Sequence, residues 1–375
     1  MIQSNSSFNI MWVSGGRIFR FFPWTFLVIV TTTAQPVMLH IVRTTVYVWA
    51  LYMRPIQPNC LVEAVLVFRY LLTVSAILLL INVVFNSHFC VGYLKVSCQV
   101  THTIPNLPFP VTGITLLNDR LYFCHGAKPY KPYIAVCCPA TFQFQEYIYC
   151  ACPNCGQCGC CHSTTLNHLV ACNFNNCLYV SVSFLNSFFL NCICKVAVDQ
   201  NKRTYWSVDS ALNNLKGLSV TSAHNLLAAL NNNSLREYSP EGQQIREISL
   251  QPAGITSPVH GVQLPNDQFG VTHHGPKHHF SIVTSDGQLV KSYGGDAGDM
   301  NDPRGIAVDE RGRIFVADQN INRILVMDSK TLSAYPLPLP TDCPLNGPRC
   351  LHYDAANRRL YIGEYNGHTI VCCQL

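Results

Sequence analysis

Charged side chains are what this sequence has little of. Asp, Glu, Lys and Arg make up 12% of the chain, about half the share of roughly 25% in ordinary globular proteins. The shortage is uneven: residues 1–110 carry one acid, Glu63, against six bases, Arg17, Arg20, Arg43, Arg54, Arg69 and Lys95. The remaining 265 residues carry 19 acids and 19 bases, so the net charge of +5 belongs wholly to the N-terminal region. That balance argues against a general basic field over residues 111–375, the source of most nucleic-acid affinity. Coiled-coil heptads are also missing. Cysteine is plentiful at 20 residues, and single cysteines at strand positions (Cys124, Cys177, Cys350) read as small buried hydrophobes.

What is present is a repeat. The stretch "NDPRGIAVDERGRIFVADQNINRILVMD" (301–328) lines up with "NGPRCLHYDAANRRLYIGEYNGHTIVCC" (346–373). Both read Pro-Arg, strand, Asp, turn, strand, acid, turn, strand. "HGVQLPNDQFGVTHHGPKHHFSIVTSDG" (260–287) and "KGLSVTSAHNLLAALNNNSLREYSPEG" (216–242) follow the same plan, with fainter copies at 112–126 and 167–182. The residues heading each first strand are Gly113, His168, Gly217, Gly261, Gly305 and Cys350, at intervals of 55, 49, 44, 44 and 45. A period in the forties, with several short strands per unit, marks propeller blades. Six units predict an all-β, six-bladed β-propeller. The last unit stops after its third strand, so its outer strand is expected from residues 96–111, where it would remove an unpaired edge. The propeller domain is accordingly set at 96–375.

The stretch "PRGIAVDERGRIFVADQNINRILVMD" resembles the NHL-repeat family nearly throughout. "PRCLHYD…LYIGEYNGHTI" matches more loosely, with Cys350 for Gly, Glu364 for Asp and Thr369 for Arg. The resemblance covers about 111–375, with one specific repeat and five degenerate ones. It implies a recognition module like those of tripartite-motif ubiquitin ligases and RNA-binding regulators. Only their propeller is resembled; RING, B-box and coiled coil are missing, so ligase activity is not implied. From the residues themselves, Asp318 and Arg323 lie on neighbouring strands across a turn, where opposite charges pair. Gly312 and Asn320 suit positive φ. His273 and His278 occupy the equivalent positions in "VTHHGPKHHF". Successive strand residues face opposite ways, so at most two of these four histidines could converge, and a hairpin tip is expected there rather than a metal site.

Three regions depart from the pattern. Residues 150–168 read as a Cys-rich insertion, in which Cys152, Cys155, Cys158 and His162 have spacing that can clasp zinc. The separated second pair of a structural site is missing, and a disulfide or free-thiol loop and an unfolded insertion stay open. Residues 181–196 place apolar side chains where an Asp and a turn are expected: either the blade repacks or the span is not authentic coding sequence. Residues 1–95 form an apolar N-terminal region. "FFPWTFLVIV" behind Arg17 and Arg20 looks like a signal peptide or anchor, and residues 70–93 are long enough to span a bilayer. With one pass, the bases ahead of it put the propeller outside the cytoplasm. Two passes, counting 24–40, return it to the cytosol. A translated non-coding leader is the third reading. The expected location is a membrane, with the cytoplasm as alternative.

The functional expectation is a non-enzymatic module, without cofactor, that binds a protein partner through one loop face. Its contacts are expected around Arg304, Asn320, Asn322, Arg349 and Asn366. An RNA-binding propeller is the alternative, on a local patch of Arg304, Arg311, Arg313, Arg323, Arg349, Arg358 and Arg359 interleaved with Asp302, Asp309 and Glu310. A propeller lactonase or esterase would need hard oxygen ligands around a channel metal. Here the acids lie in inter-strand turns, and no inward set stands out.

Overall fold

The computed structural model describes residues 11–14, 17–20, 96–125, 133–150, 164–184, 191–200, 202–207, 215–275, 279–295 and 299–375. The chain divides into two units, Met1–Leu94 and Lys95–Leu375. In the first, β1 (Met11–Ser14) and β2 (Arg17–Arg20) form an antiparallel hairpin. The segments 24–40 and 70–93 lie outside the described residues. Among the described residues no helix is long and apolar enough to cross a membrane.

The second unit is a six-bladed propeller of four-stranded antiparallel sheets. Blade I is β4 (Val111–Leu117), β5 (Arg120–His125), β6 (Tyr133–Cys137) and β7 (Phe144–Tyr149). Blade II is β8 (Thr164–Cys172), β9 (Cys177–Phe184), β10 (Asn191–Ala197) and β11 (Lys202–Ser207). Blade III is β12 (Leu215–Val220), β13 (Leu226–Leu230), β14 (Ser234–Tyr238) and β15 (Gln244–Ser249). Blade IV is β16 (Pro258–Leu264), β17 (Gln268–His273), β18 (His279–Val283) and β19 (Leu289–Gly294). Blade V is β20 (Pro303–Val308), β21 (Arg313–Asp318), β22 (Arg323–Asp328) and β23 (Ala334–Pro336). Blade VI takes β24 (Pro348–Asp354), β25 (Arg359–Glu364) and β26 (Ile370–Gln374) from the C-terminus, and its outer strand is β3 (Gln99–Ile104), paired from Ile370↔Ile104 to Gln374↔Gln99. The strand expected from residues 96–111 is thus β3, and it covers an edge that the chain's end would leave open.

Six hydrophobic clusters hold the ring together, and each joins two neighbouring blades. A blade therefore packs on both faces. Its middle strands are buried throughout, as in β13 and β14, while outer strands such as β7 and β19 are largely exposed. In "RIFVAD" the whole apolar run Ile314, Phe315, Val316 and Ala317 is buried, and even Asp318 with it. The span 181–196 sits in the same pattern. β9 and β10 pair from Asn191↔Ser183 to Ala197↔Cys177, and Val182, Cys192, Cys194 and Val196 are buried against blade I. Residues 185–190 between them lie outside the described residues, as do Cys152, Cys155, Cys158 and His162.

Candidate functional site at the channel mouth

The six first strands form a closed ring around the central channel, each packed on the first strand of the next blade. Near the start of every one of them the ladder to the second strand slips. The residues skipped are Thr112, Asn167, Lys216 with Gly217, Val259, Arg304 with Gly305, and Arg349. A bulge of this kind bends the strand and re-aims side chains, here at one end of the channel. The slips also correct the repeat alignment in blade IV. The residue equivalent to Gly217 and Gly305 there is His260 rather than Gly261. A Cβ on Gly217 would meet the Val259 carbonyl and His260 Cα, just as one on Gly305 would meet the Arg349 carbonyl and Cys350 Cα.

Inside the channel, the inner strands' free backbone groups need partners. His260 supplies two. Its Nδ1 accepts from the Ile306 N–H at 2.9 Å, and its Nε2 lies 2.9 Å from the Leu218 carbonyl. A backbone N–H can only donate and a carbonyl can only accept, so the ring is neutral with its proton on Nε2. It thereby ties blade III to blade V across its own blade. His168 accepts from the Leu218 N–H at 3.4 Å, and its ring centroid is 4.6 Å from that of His260. Burial pushes the His260 imidazolium down to about 4 and that of His168 well below the ordinary range.

At the mouth, the guanidinium of Arg349 lies over the Tyr365 ring, 4.5 Å from its centroid. Tyr365 N–H donates to the Gly347 carbonyl, and Gly347 N–H donates to Asn322 Oδ1 at 2.7 Å, so Asn322 ties the blade V turn to the start of blade VI. Asn366 covers Gly347, whose φ of 66° suits a residue without Cβ; a Cβ there would come 2.6 Å from Asn366 Nδ2. Asn320 donates from backbone and side chain to Asn301, both at 3.1 Å. Arg304 donates to Asp302 at 2.9 Å, and His274 Nε2 lies 2.7 Å from the same carboxylate. Burial by itself would raise the Asp302 carboxyl, but His274 and Arg304 overcome it and hold the group at about 2. The five residues singled out in the sequence therefore share one rim. The side chain of Asn322 is occupied in bridging blades; those of Asn320 and Asn366 are exposed.

Asp318 and Arg323 face each other in the ladder, 2.8 Å apart, and Asp318 also accepts from Asn301 N–H. In blade VI Glu364 takes the position of Asp318 and accepts from Asn346 N–H at 2.7 Å; burial raises both carboxyls. In blade IV the ladder partner of His273 is His279, with stacked rings, rather than His278, which lies outside the described residues. His274 turns away to Asp302, which leaves His273 and His279 stacked on each other without it. Among the described residues no group of three His, Cys, Asp or Glu could hold a metal ion.

The arginine patch of the sequence is not a patch in space. Arg304, Arg323 and Arg349 lie at the mouth end, whereas Arg311, Arg313, Arg358 and Arg359 lie at the far ends of strands roughly 20 Å long. What sequence reading missed is Lys216, which precedes Gly217 as Arg304 precedes Gly305 and Arg349 precedes Cys350. The offset was visible in the repeat; the bulge that gives it meaning was not.

These features define a six-bladed β-propeller with a polar channel and a basic mouth. No protein-family model matches the sequence. Over 117 residues, 30% of this chain, it is 27% identical to protein brain tumor of Drosophila melanogaster; the match spans 11% of that protein's length. A crystal structure of a protein of unknown function from Bacteroides caccae superposes with a TM-score of 0.50 at 14% identity, over 69% of this chain and 84% of that one. That likeness is one of fold.

Proposed function

We propose that residues 96–375 are a non-enzymatic protein-interaction module of NHL type. It binds a protein partner through the face on which the first strands begin. The observation carrying this reading is the gathering of Arg304, Asn320, Asn322, Arg349 and Asn366 on one rim, with Asn320 and Asn366 exposed on turns fixed by backbone hydrogen bonds. Fixed turns bind without a large ordering cost. The dispersal of arginines to opposite ends of the blades favours a protein over an RNA strand, which needs a continuous basic track. A membrane tether through residues 70–93 belongs to the same proposal and rests on sequence alone.

A photocrosslinking amino acid placed at Asn320 or Asn366, and separately at Arg311 or Arg358 on the far face, tests the reading in cells. A saturable protein adduct from the rim positions alone is expected. Adducts destroyed by ribonuclease, or adducts from the far face only, would overturn it.

A further inference from the structure

Three cations meet at the mouth, and they are not equally satisfied. Arg304 is matched by Asp302. Lys216 and Arg349 have no ion-pair partner among the described residues. Lys216 is carried by blade III and Arg349 by blade VI, which face each other across a six-membered ring. Both occupy bulge positions, so both are re-aimed at the same level of the channel. Partial burial and the charges of Arg304 and Arg349 lower the Lys216 ammonium; burial and Arg304 likewise lower the Arg349 guanidinium. The Asp302 carboxylate also acts on Arg349 but is held by Arg304 and His274, so an incoming anion would still relieve the repulsion among these like charges.

The shape of the site narrows the choice of anion. Arg349 is half-buried with its guanidinium carbon over the Tyr365 ring, and a planar guanidinium donates through paired N–H groups. Paired parallel donors match a carboxylate. The histidines deeper in the channel are neutral and spent on backbone groups, so the positive charge stops at the mouth. Outside it, the rim residues Asn320, Asn322 and Asn366 are uncharged. One anion fits this layout; a chain of phosphates does not.

We propose that the mouth between Arg349 and Lys216 is a pocket for a single carboxylate, supplied by an acidic side chain of a bound peptide segment. This rests on the protein-binding reading above and names the chemistry recognised by the same face.

The test is selection of a random dodecapeptide display library on the full chain, on Arg349→Leu and on Lys216→Gln. The Lys216 side chain makes no hydrogen bond among the described residues, so its variant keeps the test valid should Arg349→Leu fail to fold. The expected result is enrichment of peptides with Asp or Glu at one fixed position. Their affinity should fall at least about tenfold on replacing that acid by its amide and by a similar factor on Lys216→Gln, with Arg349→Lys retaining part of the binding. Enrichment without a fixed acid, or acid-bearing peptides that bind both variants unchanged, overturns the carboxylate pocket and leaves the protein-binding face standing. Enrichment of no peptide, with retention of a single-stranded RNA 12-mer that depends on Arg349, overturns both.

Discussion

At the scale of single residues, buried polar side chains act as connectors between blades. His260 satisfies a carbonyl of β12 and an N–H of β20 at once, and its replacement by Leu leaves both unpaired in the interior. Each orphaned group costs about 1–3 kcal/mol, so a loss of roughly 2–6 kcal/mol in urea unfolding is expected. The same residue makes stability depend on acid. Its folded value of about 4 lies below the unfolded value near 6.5, so between them the unfolded chain binds the extra proton. Stability from His260 is therefore complete above about pH 6.5 and is lost as pH falls toward 4, by up to about 3 kcal/mol. A thermal unfolding series over that range should show the decline, and His260→Leu should make it shallower, with the buried His168 and His352 supplying the remainder. Asp318 is a second connector, wholly buried against Arg323 and Asn301 N–H. Removing one partner of such a pair strands the other, and Asp318→Ala is expected to cost roughly 3 kcal/mol by the same measurement.

At the scale of elements, the outer strands are where blades differ. Blade V ends in a strand of three residues, and blade VI borrows β3 from nearly the whole length of the propeller away. β3 adds Ile104 to the cluster between blades VI and I. Deleting residues 99–104 should expose the edge of β26, lower the melting temperature and produce aggregates in size-exclusion chromatography. Turns are the other constraint. Gly287, between β18 and β19, has φ of 76°, and a Cβ there would fall 1.8 Å from the Ser249 carbonyl of blade III. Gly287→Ala meets backbone strain and a backbone clash together, and a loss above about 2 kcal/mol is expected in urea unfolding. The close approach of blade III to Gly287 is a tertiary fact.

At the scale of the whole molecule, the ring has two chemically different ends. The mouth holds Lys216, Arg304 and Arg349 within electrostatic reach of one another. The far end holds Arg313 beside Asp309 and the self-contained Asp354 turn, which fold their charge back on the local backbone. Charge reversal at Arg311 or Arg358 is expected to leave partner binding within about twofold, whereas reversal at Arg349 should reduce it at least about tenfold in a direct binding titration.

The sequence by itself determined the repeat, the number of blades and the need for an outer strand from before residue 111. Those depend on period and turn chemistry, which are written locally in patterns such as "PRGIAVD" and "VADQNINRI". It also determined which rim residues would share a face, because equivalent offsets in a rotational repeat fall at one level of the ring. The tertiary structure decided the rest. Only ring closure brings Lys216 opposite Arg349, seats the two histidines 4.6 Å apart, and separates arginines that are neighbours in the chain. A strand's two ends lie a few residues apart in sequence but on opposite faces of the propeller, and no local pattern records which blade stands across the channel.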